Sequence, residues 1–311
     1  MDFIKVYICI LNYNTFEKSR VCIESCLIQS DSSFRVVLVD NASTDDSFIK
    51  LQELFGDKID YFQTGANYGY AKGNNLAVQY CIKKGGVYTL LLNSDTELVG
   101  KNLLTYLYDI MEEYHDCAII SPTIYEVSTN GLKKIVCSSV YLRLLQRIGV
   151  LPQSKIYNES IETISEAHGC ALFIDNQKFI GVKGFPEHYF MYAEEGLLAK
   201  KLQWSGYEIL SIRNSENYVK HNHDTSKSIE PWRCYLMGRN ATLEFLENKK
   251  DKPKLWGFIF FLYSLQILLL CIKRGSFAHF KGIKDGFYIH SQGYTKEDIF
   301  LHGRVAKDRI R

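Results

Sequence analysis

Over its first 120 residues the chain alternates short apolar runs with amphipathic stretches. Ile4 to Leu11 predicts a strand, and 17–29 a helix. Phe34 to Val39 predicts a second strand ending at Asp40, followed by a helix at 46–55 with Ser43 or Thr44 as its cap. Ile59 to Gln63 reads as a short strand and 71–84 as a helix. Val87 to Leu92 has no polar face, so it is expected in the middle of a sheet, covered on both sides. A helix at 101–114 and a strand at 117–121 follow. Strand–helix alternation with nearly continuous apolar strands implies an α/β fold, a mostly parallel central sheet flanked by helices. Further on, 122–165 is less regular and reads as a surface excursion with short strands. Residues 168–174 are apolar, 194–205 predict a helix, and 214–230 are polar.

Composition narrows the class. At 311 residues with 21 Tyr and 18 Phe, the chain can bury a large core and is not disordered. A net charge of +2 supplies no global basic field, so nucleic acid is not an expected partner. The nine cysteines form no CxxC pair and sit mostly in apolar runs, as reduced core residues do; a cytoplasmic location is expected.

Charge divides the chain unevenly, with a net of −4 over 1–240 and +6 over 241–311. This suggests an α/β domain at 1–240 and a basic helical region at 241–311. The basic region contains the uncharged run Trp256 to Ile272, entered after Lys252 and Lys254 and left through Lys273 and Arg274. It is at the short limit of the roughly 20 residues of a spanning helix. A helix lying in a membrane interface is the expectation, with a buried core helix, a spanning helix or a homodimer face as alternatives.

In an open parallel sheet, ligands bind beyond the carboxyl ends of the strands. Those ends carry Asn12-Tyr13-Asn14, then Asp40-Asn41-Ala42-Ser43-Thr44-Asp45, then Gly65 to Asn75, then Asn93-Ser94-Asp95. One such polar loop is ordinary turn chemistry; four on one edge point to a binding site. The glycines at 65, 69 and 73 do not match the GxGxxG dinucleotide spacing, and no GK[ST] is present. They are expected to let the backbone approach a ligand. Asp40 could accept the imide N–H of a uracil or thymine, or serve as a turn residue. Asp95 could hold a hard divalent cation bridging a diphosphate, or cap a helix.

Taken together these segments resemble family 2 glycosyltransferases of the GT-A fold, most of all the bacterial rhamnosyltransferase-like branch. The resemblance continues in Gly184-Phe185-Pro186-Glu187, in Phe190-Met191-Tyr192-Ala193-Glu194-Glu195, in His221 with Ser226, in Arg239-Asn240, and in Lys281-Gly282 with Asp285-Gly286. It implies that Asn12, Asn14, Asp40 and Asn41 meet the nucleoside. Asn67, Gly69, Gly73 and Asn74 would line nucleotide and donor sugar. Asn93 and Ser94 would also contact nucleotide and donor, and Asp95 would be the metal ligand of the family's acidic motif. His221 would approach the metal diphosphate, with His223 as the alternative. Glu194 and Glu195 would provide the general base, and His168, Gly169 and Trp232 the acceptor side. Trp204 is expected to pack its helix on the sheet.

The implied reaction is inverting transfer from a nucleoside-diphosphate sugar with Mn2+ or Mg2+. A dTDP-rhamnose donor is favoured, a UDP-hexose next. The implied acceptor is a cell-surface polysaccharide or polyprenyl-linked glycan, at the inner face of the plasma membrane. Glu195 stands where the family has Asp, Leu197 replaces a further acid, and Asn93 replaces a first Asp. A domain that binds nucleotide or glycan without turnover, and a sugar nucleotidyltransferase, are the competing readings.

Overall fold

The computed structural model describes residues 5–30, 33–128, 131–135, 154–214, 216–222, 230–248 and 277–309, with parts of 257–265. Strands β1 (Val6–Asn12), β2 (Phe34–Asp40), β3 (Asp60–Gln63) and β4 (Tyr88–Asn93) run parallel in the order β3-β2-β1-β4. Their carboxyl ends therefore share one edge: Asn12 lies beside Asp40, Asp40 beside Gln63, and Leu11 beside Asn93. The sheet continues through β10 (Ala171–Asp175), β6 (Cys117–Ser121), β11 (Glu208–Ile212) and β9 (Ile161–Thr163). Only β10 and β9 run antiparallel to their neighbours, so the mixed sheet is mostly parallel as expected.

The two-residue period of the strands divides the core. Ile8, Ile10, Leu38 and Leu90 face α1 (Phe16–Leu27), α2 (Ser47–Phe55) and α4 (Leu103–Glu113). Cys9, Val37, Val39 and Leu91 face α3 (Gly69–Lys83) and the helices α5 (Asn176–Gly181) and α6 (Glu194–Trp204). A strand buried on both faces needs apolar residues at every position, which is why these runs lack alternation. Cys9, Cys22, Cys26, Cys81, Cys117 and Cys170 are free and buried in this core.

A second, four-stranded sheet has the order β5 (Thr96–Val99), β12 (Tyr218–His221), β7 (Ile124–Ser128), β8 (Gly131–Lys134). Two of its strands, β5 and β12, were expected as loop and polar segment. They are four residues long, too short for a hydrophobic period to register. The cap of α2 also differs: Asp46 stands at the N-cap position without a side-chain cap bond, and the Ser47 N–H donates to Asp45 Oδ1 at 3.0 Å. Trp204, expected to pack on the sheet, is 70% exposed at the end of α6.

The chain forms two compact units. Met1–Phe185 and Leu198–Ser226 make the first, and Pro186–Leu197 with Lys227–Arg311 the second. Position 240 lies inside α7 (Pro231–Asn248), a helix of the second unit. There α7 packs on α8 (Ala278–Ser291) with backbones in contact. A Cβ at Gly282 would lie 2.0 Å from the Tyr235 carbonyl oxygen, and one at Gly238 2.2 Å from that of His279. Helix α9 (Lys296–Arg304) and α10 (Ala306–Arg309) add Ile299 and Ala306 to a core with Tyr189, Phe190, Tyr235 and Leu243.

Among the described residues no helix is long and apolar enough to cross a membrane. Most of Trp256 to Ile272 lies outside those residues. Within the described part, Phe260 stacks on Phe245, with centroids 4.7 Å apart, while Phe258, Phe261 and Leu265 are exposed.

Candidate active site

Asn12, the last residue of β1, is 0% exposed, and its amide is fully engaged. Its Nδ2 donates to Asp40 Oδ1 at 3.0 Å, Ser43 Oγ at 3.0 Å and Ser47 Oγ at 3.3 Å. Its Oδ1 accepts from Ser19 Oγ at 2.7 Å and Thr15 Oγ1 at 2.9 Å. Asn12 thus joins the end of β1 to β2 and to the starts of α1 and α2. An amide with two donors and one acceptor oxygen has nothing left for a ligand after these bonds. Asp40 is held in turn by the Ser43 hydroxyl at 2.6 Å and the Ser43 N–H at 3.1 Å. Ser43, expected as a helix cap, orients this carboxylate instead.

Asn14 is outside this buried network and exposed. It sits at φ 55°, a left-handed conformation Asn tolerates, and its Oδ1 accepts the Thr44 N–H at 2.8 Å. Ala42, at φ 60°, has no such tolerance and carries strain of order 1–3 kcal/mol, between the fixed side chains of Asn41 and Ser43.

Asn41 organises the glycine loop. Its Nδ2 donates to Gly69 O at 3.0 Å and Asn67 Oδ1 at 3.3 Å, and its Oδ1 accepts the Tyr68 N–H at 3.1 Å. Gly69 needs its glycine for φ 71° at the start of α3. Gly73 serves packing. A Cβ there would meet Leu11 Cδ1 at 3.1 Å and Asn41 Nδ2 at 3.4 Å, so α3 lies tight on the end of β1. Asn74 is buried on the same helix.

Asn93 ends β4, and its carbonyl accepts the Thr96 hydroxyl at 2.8 Å. Ser94 accepts a hydrogen bond from Thr15 at 3.1 Å, which ties this loop to the start of α1. Next to it, Asp95 faces two bases. His221 Nε2 is 3.4 Å from Asp95 Oδ1, and Lys18 Nζ is 3.4 Å from Oδ2. The His168 ring stands edge-on to His221, with centroids 5.6 Å apart. Gly169 accepts the Tyr70 hydroxyl at 2.6 Å through its carbonyl, so α3 supports the loop that carries His168. His223 lies outside the described residues.

Glu194, Glu195 and Trp232 belong to the second unit. Glu194 is buried, and burial raises the Glu195 carboxyl above the ordinary carboxylate range, partly offset by a backbone hydrogen bond. The two residues before them, Tyr192 and Ala193, lie at φ 74° and 75°. Two consecutive non-glycine residues there are uncommon and costly. Burial pushes the Tyr192 phenol up to about 12. The Trp232 indole N–H donates to Glu230, and the Arg233 guanidinium lies over its ring at 5.4 Å.

Thr15, Lys18, Ser19, Ser47 and Tyr70 belong to the same edge and were not singled out in the sequence. Their only local signal is a place in the first turn of a helix that follows a polar strand end.

The model of glycosyl transferase family 2 matches residues 7–179, more than half the chain. The chain belongs to glycosyl transferase family 2. It is similar to the Low-salt glycan biosynthesis hexosyltransferase Agl10 of Haloferax volcanii, 29% identical over 60% of this chain and 58% of that one. It is 24% identical to Rhamnosyltransferase WbbL of Escherichia coli, over 79% of this chain and 94% of the relative. Among solved structures, GalNAc-T7 with UDP, GalNAc and Mn2+ overlays with a TM-score of 0.57 at 13% identity. That match covers 76% of this chain and 47% of GalNAc-T7. S. aureus TarS 1-349 in complex with UDP-GlcNAc overlays with a TM-score of 0.53 at 19% identity, over 78% of this chain and 66% of TarS 1-349. The chain thus spans about half to three fifths of the Agl10 and GalNAc-T7 lengths. The family 2 fold is GT-A, as the central mixed sheet and these overlays require.

Proposed function

We propose that this family 2 protein is an inverting glycosyltransferase that moves a sugar from a nucleoside diphosphate to a glycan acceptor. The observation that carries the reading is the pairing of Asp95 with His221 on the strand edge that also holds Asp40 and Asn41. Asp40, fixed by Asn12 and Ser43, is assigned to the pyrimidine N–H. The loop from Asn67 to Asn74, organised by Asn41, lines the nucleotide and sugar.

The residues present fit a divalent ion. Asp95 and His221 supply a carboxylate and an imidazole side by side. Among the described residues no cluster of three His, Cys, Asp or Glu occurs, so the remaining ligands would come from diphosphate and water. Mg2+ prefers an all-oxygen shell, so the imidazole favours Mn2+. Such an ion neutralises charge that develops on a leaving diphosphate. Lys18, 3.4 Å from the other Asp95 oxygen, would add a second positive charge at a diphosphate bound there.

Glu195 acts as general base on the acceptor hydroxyl. Burial raises its proton affinity above that of an ordinary carboxylate, which strengthens it as a base. Proton removal from the face opposite the leaving group accounts for inversion without a covalent intermediate. His168, Gly169 and Trp232 are assigned to the acceptor side. The relatives named as hexosyl- and rhamnosyltransferases support a hexose or a rhamnose as the sugar, and UDP-hexose and dTDP-rhamnose are the donors to try. The acceptor class is a cell-surface or polyprenyl-linked glycan. The exposed Phe258, Phe261 and Leu265, at helical spacing in a segment that the sequence continues into Lys273-Arg274, support docking on the inner face of a membrane.

The deciding experiment is a thermal-shift panel of UDP, dTDP, GDP and ADP, each with and without Mn2+, followed by donor turnover in Glu195→Gln. Stabilisation by a pyrimidine diphosphate that requires Mn2+, with turnover abolished by Glu195→Gln, is expected. Nucleotide binding with full turnover in Glu195→Gln refutes the base assignment. Binding without any turnover in the wild type moves the protein to a non-catalytic role.

A further inference from the structure

The two residues in left-handed conformation immediately before Glu194 are held by one buried device in the second unit. Asn240, on α7, donates through Nδ2 to the Met191 carbonyl at 2.7 Å and the Tyr192 carbonyl at 2.9 Å. Asn240 cannot turn its amide over, because Arg239 Nε donates to its Oδ1 at 2.8 Å. Arg239 is itself 0% exposed and anchored to the C-terminal helix α9. Its Nη1 donates to the Ile299 carbonyl at 3.2 Å and lies 3.3 Å from His302 Nδ1. Burial lowers the guanidinium to about 10, the mark of an expensive location for a charge. Gly303 makes room for it: a Cβ there would sit 2.7 Å from Arg239 Nη2 and 2.9 Å from Nη1. A packed helical unit needs no buried guanidinium for stability alone. This one connects α9 to the carbonyls of a strained turn, and that turn launches the helix whose first residues are Glu194 and Glu195.

We propose that Arg239 and Asn240 are positioning residues for the Glu195 base, and that α9 is thereby part of the catalytic apparatus. The inference rests on the reading of Glu195 as the base. The clamp sets the φ of Tyr192 and Ala193. Those angles set the direction in which the first turn of α6 leaves, and hence where the Glu195 carboxylate stands. Leu197 N–H closes that first turn on the Ala193 carbonyl at 3.3 Å, so a turn released at 192–193 carries Glu195 with it.

The test uses the full chain, UDP and dTDP with Mn2+ as binding probes, and the turnover of UDP-glucose and dTDP-rhamnose. Asn240→Asp keeps shape and the Arg239 contact but removes the two N–H donors. It is expected to lower kcat about 100-fold with KM and UDP affinity unchanged, because misplacing a catalytic group by about 1 Å costs that much. Amide hydrogen exchange over 191–197 is expected to quicken in the same variant. Gly303→Ala, far along the chain from Glu195, is expected to give the same signature, and it carries the test should Asn240→Asp fail to fold. Wild-type kcat in a folded variant overturns the proposal, as does a loss confined to KM or a loss with unchanged exchange at 191–197. Failure of the base assignment is read separately: Glu195→Gln then keeps full turnover, whatever the exchange at 191–197 shows.

Discussion

His221 Nε2 stands 3.4 Å from Asp95 Oδ1 because β12 pairs antiparallel with β5, which places His221 opposite Thr96, the residue after Asp95. The small sheet is therefore what brings a distant histidine to the acidic loop. A carboxylate alone at a strand end is a weak cation site. A carboxylate and an imidazole held by one ladder form a directed pair.

Removing either partner is expected to weaken Mn2+-dependent binding of UDP. Wild type at 100 times its dissociation constant gains about 2.7 kcal/mol of stability from ligand. Each tenfold loss of affinity in Asp95→Ala or His221→Ala removes about 1.4 kcal/mol of that gain, read as a smaller melting shift. Glu97→Gln, which breaks only the partly exposed pair with Lys220 on the same strands, is expected to cost less than about 1 kcal/mol and leave the shift intact.

Asn12→Ala is expected to destabilise the first unit by about 3 kcal/mol, measured by urea denaturation. It strips the buried Asp40 carboxylate of a donor and removes the amide oxygen that accepts from the buried Ser19 hydroxyl. Nucleotide affinity should fall as well, through Asp40. Unchanged stability with lost affinity would instead mark Asn12 as a direct ligand contact.

Glu195→Gln is expected to abolish turnover and raise the melting temperature at pH 7. The sign follows from the raised carboxyl. Its contribution to stability is full below the unfolded pKa and is lost as pH rises through the higher folded value, so at pH 7 the wild type has lost stability that it holds in acid. The stabilisation of Glu195→Gln should vanish in acid. In a pH profile of wild-type kcat, the acid limb should lie above that of a solvent-exposed glutamate.

Gly282→Ala is expected to disrupt the second unit by several kcal/mol, since the new methyl meets the Tyr235 carbonyl oxygen at 2.0 Å and neither backbone can yield. Gly181→Ala, with nothing within 4 Å and a helical position, is expected to be neutral or stabilising by up to about 1 kcal/mol. Circular dichroism melts of the two variants separate these outcomes.

His279 lies buried in the α7–α8 seam, where desolvation lowers it to about 4. The unfolded chain takes up its proton first, so stability should fall as pH drops from about 6.5 towards 4, by an amount on the order of 3 kcal/mol. Urea midpoints against pH measure this, and His279→Gln should flatten the slope.

The sheet strands were legible because doubly buried strands must be apolar throughout, and the site edge was legible because polar residues end each of them. Val87 to Leu92 could only be central, and Asp40 and Asp95 could only lie at carboxyl ends. The short strands β5 and β12 carried no such pattern, since four residues give too few positions for a period and these hold Glu, Lys and Tyr. Trp204 misled for a related reason: an aromatic at the end of a helix reads as core, yet the last turn of α6 points it to water.

The sequence by itself determined the order of strands and helices, the family, and which loops meet at one edge, because backbone periodicity and chain connectivity are local properties. Only the tertiary structure decided which polar residues face inward. Asn12 is a buried tie, Gly73 a packing contact, and Arg239 with Asn240 a clamp on the turn before Glu195. A side chain's partners are set by long-range pairing and helix packing, and those place residues together that no local pattern links.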